Sequence, residues 1–504
     1  MTKKFLFINE NIFTFNSGTE FSAMNRLKLF RKNNIDAKII TRNYNPSFHQ
    51  EIHKYGINDD EVLNMYDFFQ HATGKKRHHE YLRYSNLIDK HGYKIHGIDN
   101  NKSYIERLGQ RVAKVSIFPL TVGEIGNVDY YDNFGNVASR DVYDYRGFKS
   151  KEIYMHPDGN IGHELILDTT GKPVMEITHM NIGNQLFPTM FKLLNYKGKT
   201  YRFNTEDDLF TFFLNEICDD DCILINDRPS LTNVVANVDS TTQKYQMLHT
   251  QHTANSAEAH NPQANLMGNL VPLFSQQFSK YKGVIVATPQ QRDDLAKRYP
   301  KGKFYSIFDT AILDMPKPSD AMKSHEITYM GRMFKDKSVD ELLTIIPAIK
   351  QVIPDIHLTM VGYFESVDYK KELDAIIKQL KITDNVSLVD YKLGKDKAQI
   401  LSNTRVLLQT SKGEGLSMSL VEGLSYGVPE VAFDVNYGPN EIIDNDQNGY
   451  LIPNNDLAVF ANRVINLLTH DDIYQRFHEN AIKKAEKFSA DKVMKQWNEF
   501  IKSI

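Results

Sequence analysis

The chain has 504 residues, 41% hydrophobic and 24% charged, with a net charge of −3. That length supports two or three domains with sizeable cores, and the near-neutral balance gives no electrostatic case for binding nucleic acid. Cys218 and Cys222 are the only cysteines, which excludes a disulfide framework and a cysteine-only zinc site.

In chain order, "KKFLFI" reads as a buried strand, "TEFSAMNRLKLFRKN" as a helix and "IDAKIIT" as a second strand, a βαβ opening. The leading apolar run turns polar without a small-residue cleavage site, and no run reaches membrane-spanning length. A cytoplasmic protein is expected, with peripheral contact at the inner membrane face left open. "VLNMYDFFQHAT" is amphipathic and reads as a helix. From 100 to 205 the character changes to short alternating segments. Turn signals at Asn133–Asn136, Pro157–Asn160 and Thr170–Pro173 separate them, the pattern of an antiparallel β-meander. Val128 and Tyr130 alternate with Asp129 and Tyr131, which predicts one covered face and one aromatic-rich face. Tyr130, Tyr131, Tyr143, Tyr145 and Phe148 are candidates for that face and for docking a partner or acceptor.

The α/β rhythm resumes at "CILIND", "KYQMLHTQHT" and "YKGVIVATPQQRDDLAKRY". "LDMPKPSDAMK", Leu313 to Lys323, reads as a link. Beyond it, strand and helix patterns alternate strictly through "HEITYMG", "SVDELLTIIPAIKQV", "IHLTMVG", "YKKELDAIIKQL", "NVSLVD", "KAQILSN" and "VLLQTS". This predicts a second doubly wound sheet. The expected domains are 1–99 and 206–312 for a first Rossmann-like domain and 100–205 for the inserted meander. A second Rossmann-like domain is expected over 313–484, with a helix over 485–504 returning to the first. Two such domains place helix N-termini around a crevice suited to a nucleotide diphosphate.

The densest signal is "SKGEGLSMSLVEGLSYGVPEVAFDVNYGPNEII", Ser411 to Ile443. Leu416, Leu420 and Leu424 recur at helical spacing, and Gly427 with Pro429 is a stop. Ser419 with Glu422 fits a capping box. Glu414 then lies in the strand-to-helix loop and Glu422 about two turns in. Four features join this pair: Gly18 in "FNSGTEF", Arg332 and Lys337 in "MGRMFKDKS", and His252 in "LHTQHTANS". Singly each is ordinary: a glycine turn, a solvated basic pair, a packed histidine. A glycine lets backbone approach a phosphate, and a strand-end Arg/Lys pair neutralises a diphosphate.

Together they resemble the retaining glycosyltransferases of the two-Rossmann (GT-B) type, family four. The resemblance runs through "GRMFKDK", "MVGYFES", the Ser411–Asp434 stretch, "YGPNEII" and "NGYLI". It implies that Glu414 binds donor-sugar hydroxyls and Glu422 the ribose hydroxyls. Gly415, Leu416 and Ser417 lie under the phosphates. Arg332 and Lys337 stabilise the leaving diphosphate, and His252 contacts the donor sugar. Asp390 or Tyr391 stands where many relatives have a glycine, in a region that often lies near the base, and Tyr391 is the candidate contact. No metal or cofactor is implied, only a UDP-sugar, UDP-GlcNAc or UDP-glucose. Asp219–Asp221 imitates a metal motif but precedes its strand.

A narrower resemblance, in "SGTEFSAMNR", "NMYDFFQ", "RDVYDYRGF" and the meander, is to bacterial transferases that modify cell-surface polymers. One subgroup adds N-acetylglucosamine to serine-rich proteins, sometimes with a homologous partner subunit. Another adds an α-linked sugar to poly(polyol phosphate) teichoic acid. The protein acceptor is favoured, and a partner subunit or homo-oligomer is expected. The alternatives are a non-catalytic partner subunit and a glycogen- or sucrose-type transferase of general metabolism.

Overall fold

The computed structural model describes residues 3–79, 83, 92–239, 241–316 and 325–504. Most of the link read at Leu313–Lys323 lies outside them. Two compact units result: Met1–Thr14, Asp36–Leu224 and Asn233–Gln243 form one, and Phe15–Ile35, Ile225–Thr232 and Lys244–Ile504 the other.

In the first unit, strands Lys4–Asn9, Ala37–Thr41 and Val62–Asn64 pair in parallel. Phe5 to Ile8 are all buried, as a strand covered on both faces requires. "VLNMYDFFQHAT" is not one helix. Val62–Asn64 joins the sheet, and the Asn64 side chain accepts from the amides of Tyr66 and Asp67 to start a short helix, Met65–Phe69. A residue that caps a helix start stands outside the helix, so the apolar periodicity was cut at Asn64.

The meander is a ten-stranded antiparallel sheet from Lys94–Asp99 to Lys199–Phe203, with its strands in sequence order. Among the described residues four hairpins share one main-chain pattern: Gly135, Gly147, Gly159 and Gly171 donate to the carbonyl three residues back, at φ of 86°, 92°, 82° and 88°. The predicted alternation fails at Asp129, which is 3% exposed. It stands opposite Lys114 on one neighbour and Arg140 on the other, with Arg140 Nε 2.5 Å away. Flanking cations let a carboxylate occupy a covered position. The aromatic face also differs from expectation. Tyr143 and Phe148 are buried, and Tyr145 lies 3.7 Å beneath the Arg77 guanidinium, leaving Tyr130 exposed and Tyr131 half-buried.

In the second unit, strand Glu326–Met330 is central to a six-stranded parallel sheet. His357–Val361 and Val386–Val389 follow on one side, and Val406–Gln409, Glu430–Phe433 and Gly449–Ile452 on the other. The chain order reverses between Glu326–Met330 and Val406–Gln409, so a crevice opens at their carboxyl ends. Helix Val339–Val352 seals this sheet with Leu342, Leu343, Ile346 and Ile349. The last helix, Ala490–Ser503, packs Trp497 edge-on against Phe30 at 5.3 Å and Phe500 against Tyr245 at 5.0 Å.

Candidate active site

The loops that leave the two strands at the switch point carry the charged residues. Lys337 follows Glu326–Met330 and Glu414 follows Val406–Gln409, and Lys337 Nζ stands 2.7 Å from Glu414 Oε1. Gln409 Nε2 donates to the same oxygen at 2.9 Å. The Glu414 main chain is fixed too: its amide donates to Asn436 O at 3.0 Å, and its carbonyl accepts from Tyr437 N at 2.9 Å. Arg332 is more exposed, with its guanidinium 4.6 Å from the Phe334 ring centroid and 3.4 Å from Asp336. The hydroxyl of Tyr329 donates to the Arg332 carbonyl. Burial, then the negative charge of Glu414, raises the Tyr329 pKa, while Arg332 opposes the rise.

Helix Met418–Ser425 starts just after Ser417. The expected Ser419–Glu422 capping box is absent, because Ser419 already lies inside the helix and Glu422 is too far along to reach the start. Glu422 instead pairs with Lys397 at 2.6 Å, from helix Gly394–Asn403. The Leu416 side chain is buried. Gly415 is required by the fold: a Cβ there would meet His249 O at 2.6 Å and Thr250 N at 2.9 Å. Gly18 is different. It opens helix Gly18–Lys32, capped by a Ser17–Glu20 box, and a Cβ there would meet only Met418 Sδ at 3.8 Å. The Met418 side chain thus lies near the start of the Gly18–Lys32 helix.

His252 is 1% exposed, and its ring lies parallel to Tyr437 at 5.9 Å between centroids. Burial first, then the Arg298 charge, lowers its pKa to about 4, so it is neutral. Tyr437 N also donates to the Glu414 carbonyl, so Tyr437 touches both His252 and Glu414. Tyr391 belongs to an aromatic cluster: Phe15 stacks on Tyr363 at 5.5 Å and meets Tyr391 edge-on at 5.5 Å. Sequence reasoning gave no role to Lys397, Gln409, Phe15 or Tyr437. Each lay inside a quoted stretch, Phe15 in "FNSGTEF", Lys397 in "KAQILSN", Gln409 in "VLLQTS" and Tyr437 in "YGPNEII", but nothing in the spacing marked them out.

Among the described residues no group of three or more His, Cys, Asp or Glu is placed to hold a metal ion. Asp219 accepts from the Asp221 amide and the Cys222 thiol in a turn before strand Cys222–Asn226. Among the same residues no helix is long and apolar enough to cross a membrane.

Residues 313–484 match the model of the group 1 glycosyl transferases. The chain is 23% identical to the poly(ribitol-phosphate) alpha-N-acetylglucosaminyltransferase of Staphylococcus aureus (strain COL), over 99% of each chain. It is 22% identical to the GtfA subunit of the UDP-N-acetylglucosamine–peptide N-acetylglucosaminyltransferase of Streptococcus agalactiae, over 99% of this chain and 98% of that one. The fold resembles the pneumococcal O-GlcNAc transferase GtfA in complex with UDP and GlcNAc, with a TM-score of 0.87 at 19% identity, over 100% of this chain and 99% of that one. It also resembles a mutant of S. aureus TarM in complex with Fondaparinux, alpha-GlcNAc-glycerol and UDP, with a TM-score of 0.81 at 20% identity over 99% of each. The chain therefore has the GT-B fold, and its residues 313–484 match the group 1 glycosyl transferases.

Proposed function

We propose that the chain moves N-acetylglucosamine from UDP-GlcNAc to serine or threonine hydroxyls of a bacterial surface protein, with retention at the anomeric carbon. The observation that carries this reading is the Lys337–Glu414 pair, 2.7 Å apart at the switch point of the second sheet. As the sugar–phosphate bond breaks, the ring gains positive charge and the diphosphate negative charge. Arg332, Lys337 and the two helix starts stabilise the leaving group, and one such preorganised donor is worth about 3–4 kcal/mol. Glu414 holds sugar hydroxyls beside the reacting carbon. Glu422, with Lys397, lies at the ribose, and Tyr391 near the base. The acceptor attacks from the face of departure, and the leaving phosphate oxygen takes its proton. No covalent nucleophile and no metal enter.

Residues 100–205 dock the acceptor or a partner, and residues 313–484 bind the nucleotide sugar. The protein acceptor is supported by the name of the S. agalactiae relative. It is also supported by the charges of the antiparallel sheet, where Lys114, Arg140, Lys149, Lys151 and Lys192 are each paired with a carboxylate. Cations already neutralised make a poor track for a polyphosphate. The second reading, glycosylation of poly(polyol phosphate) teichoic acid, is supported by the S. aureus relative at almost the same identity. A homologous partner subunit is suggested by the likeness to the GtfA/B complex, with a TM-score of 0.78 at 17% identity. The reaction is placed in the cytoplasm, at the inner face of the membrane.

Purified protein is incubated with radiolabelled UDP-GlcNAc or UDP-glucose, with serine-rich peptide and teichoic acid offered in parallel. Label from UDP-GlcNAc in the peptide is expected. Label only in teichoic acid selects the second reading. Neither transfer nor donor hydrolysis, alone or with a partner subunit added, overturns both.

A further inference from the structure

The buried imidazole of His252 is the end of a chain of hydrogen bonds whose directions can be assigned. Asn440 Nδ2 donates to Gln290 Oε1 at 3.1 Å, which orients the Gln290 amide. Gln290 Nε2 then donates to Asn436 Oδ1 at 3.3 Å and to His260 Nε2 at 3.2 Å. His260 must carry its proton on Nδ1, which donates to Asp294 Oδ2 at 2.6 Å. Asp294 is buried, and its other oxygen is 3.6 Å from Lys297 Nζ. Its carboxylate can only accept, so the Tyr437 hydroxyl, 3.2 Å from Oδ2, donates to it. The alternative acceptor, the Ala259 carbonyl, is farther at 3.5 Å and uncharged.

With its one proton committed, the Tyr437 oxygen can only accept from His252 Nδ1, 3.3 Å away. The charged groups around His252 are Arg298, Asp294 and His260, and the nearby Arg298 cation disfavours a second ring proton. We infer that Tyr437, held by Asp294, is a positioning residue that fixes His252 as the Nδ1–H tautomer. Nε2 then offers a lone pair, and the site takes a sugar that presents a hydroxyl hydrogen there and rejects one that presents a carboxylate. The inference deepens the proposed function and rests on its placement of His252 at the donor sugar. The discriminated classes are UDP-hexoses or UDP-N-acetylhexosamines against UDP-hexuronates. A hydroxyl can donate to Nε2. A carboxylate brings only lone pairs, so both partners are left unpaired.

The test uses the full chain labelled with 15N-histidine. Long-range 1H–15N spectra report the tautomer, and the His252 signal is assigned by its loss in His252→Gln. Wild-type protein is expected to show Nδ1–H. Tyr437→Phe keeps the stacked ring and removes only the hydroxyl. It is expected to shift His252 toward Nε2–H, to lower kcat/KM for UDP-GlcNAc roughly tenfold and to narrow discrimination against UDP-glucuronate roughly tenfold. Asp294→Asn, which lets the side-chain amide donate to Tyr437, is expected to shift the tautomer the same way. An Nε2–H tautomer in wild type, or a tautomer unchanged in both variants, overturns the inference. If the tautomers behave as expected but His252→Gln keeps full kcat/KM and full discrimination, the sugar-selection claim falls together with the placement of His252, and the spectra show that the relay was not at fault.

Discussion

Lys337 Nζ and Glu414 Oε1 lie 2.7 Å apart across 77 positions of chain, joining the loops that leave two adjacent parallel strands. Each side chain is largely withdrawn from water. Removing either one leaves the other partly buried with less compensation, although Gln409 still donates to Glu414.

Glu414→Ala and Arg332→Ala are each expected to lower turnover at least about a hundredfold at saturating donor, the scale of losing one preorganised electrostatic contact. Circular dichroism is expected to stay native for Arg332→Ala, whose guanidinium is partly exposed and pairs with the exposed Asp336. Near-normal turnover in either variant would sink the role given to that residue.

Gly18→Ala separates a ligand requirement from a folding requirement. The nearest atom to the added methyl is the flexible Met418 sulfur at 3.8 Å, an ordinary contact, and alanine suits a helix start at least as well as glycine. Thermal stability is expected to be unchanged or slightly raised. If backbone at Gly18 approaches the diphosphate, the methyl stands in the ligand's place, and KM for the donor is expected to rise about tenfold or more. A variant with unchanged donor KM would remove Gly18 from the site. Gly415→Ala is the contrast, because there the methyl collides with His249 and Thr250 backbone and stability itself falls.

The second sheet was legible because each of its strands is a short apolar run bounded by turn residues, and burial on both faces leaves little room for ambiguity. The spacing of Glu414 and Glu422 was legible for the same reason: it is local. What sequence missed came from partners far along the chain. Ser419 and Glu422 have the right letters for a capping box, but Ser417 ends the loop two residues earlier, and Lys397 takes the carboxylate. Asp129 broke the alternation because its countercharges arrive from two other strands. Tyr437 drew no reading of its own, and its neighbours Asp294 and His252 make its hydroxyl informative.

In the proposed mechanism, protein cations at the leaving group take the place of a bound metal. Full transfer activity is expected in excess EDTA. An activity lost to the chelator and restored by manganese would show a metal-dependent step and reopen the acidic turn at Asp219–Asp221.

Glu430 makes a prediction about stability. It sits fully buried on strand Glu430–Phe433, between Leu407 and Gly449 on the flanking strands. Among the described residues neither carboxylate oxygen has a hydrogen-bond partner, and Oε1 packs 2.9 Å from where a Cβ on Gly423 would stand. With no cation to compensate, burial raises its pKa well above the ordinary 4.5. The folded state therefore holds the proton more tightly than the unfolded chain. Stability is greatest where both states are protonated, and it falls as pH rises above about 4.5 toward the folded-state pKa. Glu430→Met, apolar and close in volume, removes the penalty. It is expected to stabilise the protein at pH 8 by about 1–3 kcal/mol, the cost of one buried unsatisfied polar group. The gain should shrink at pH 5, where the wild-type carboxyl is cheaper to keep neutral. Thermal midpoints of both proteins at the two pH values check this. A variant no more stable than wild type at pH 8, or a gap equal at both pH values, would mean that Glu430 has a partner or that water reaches it.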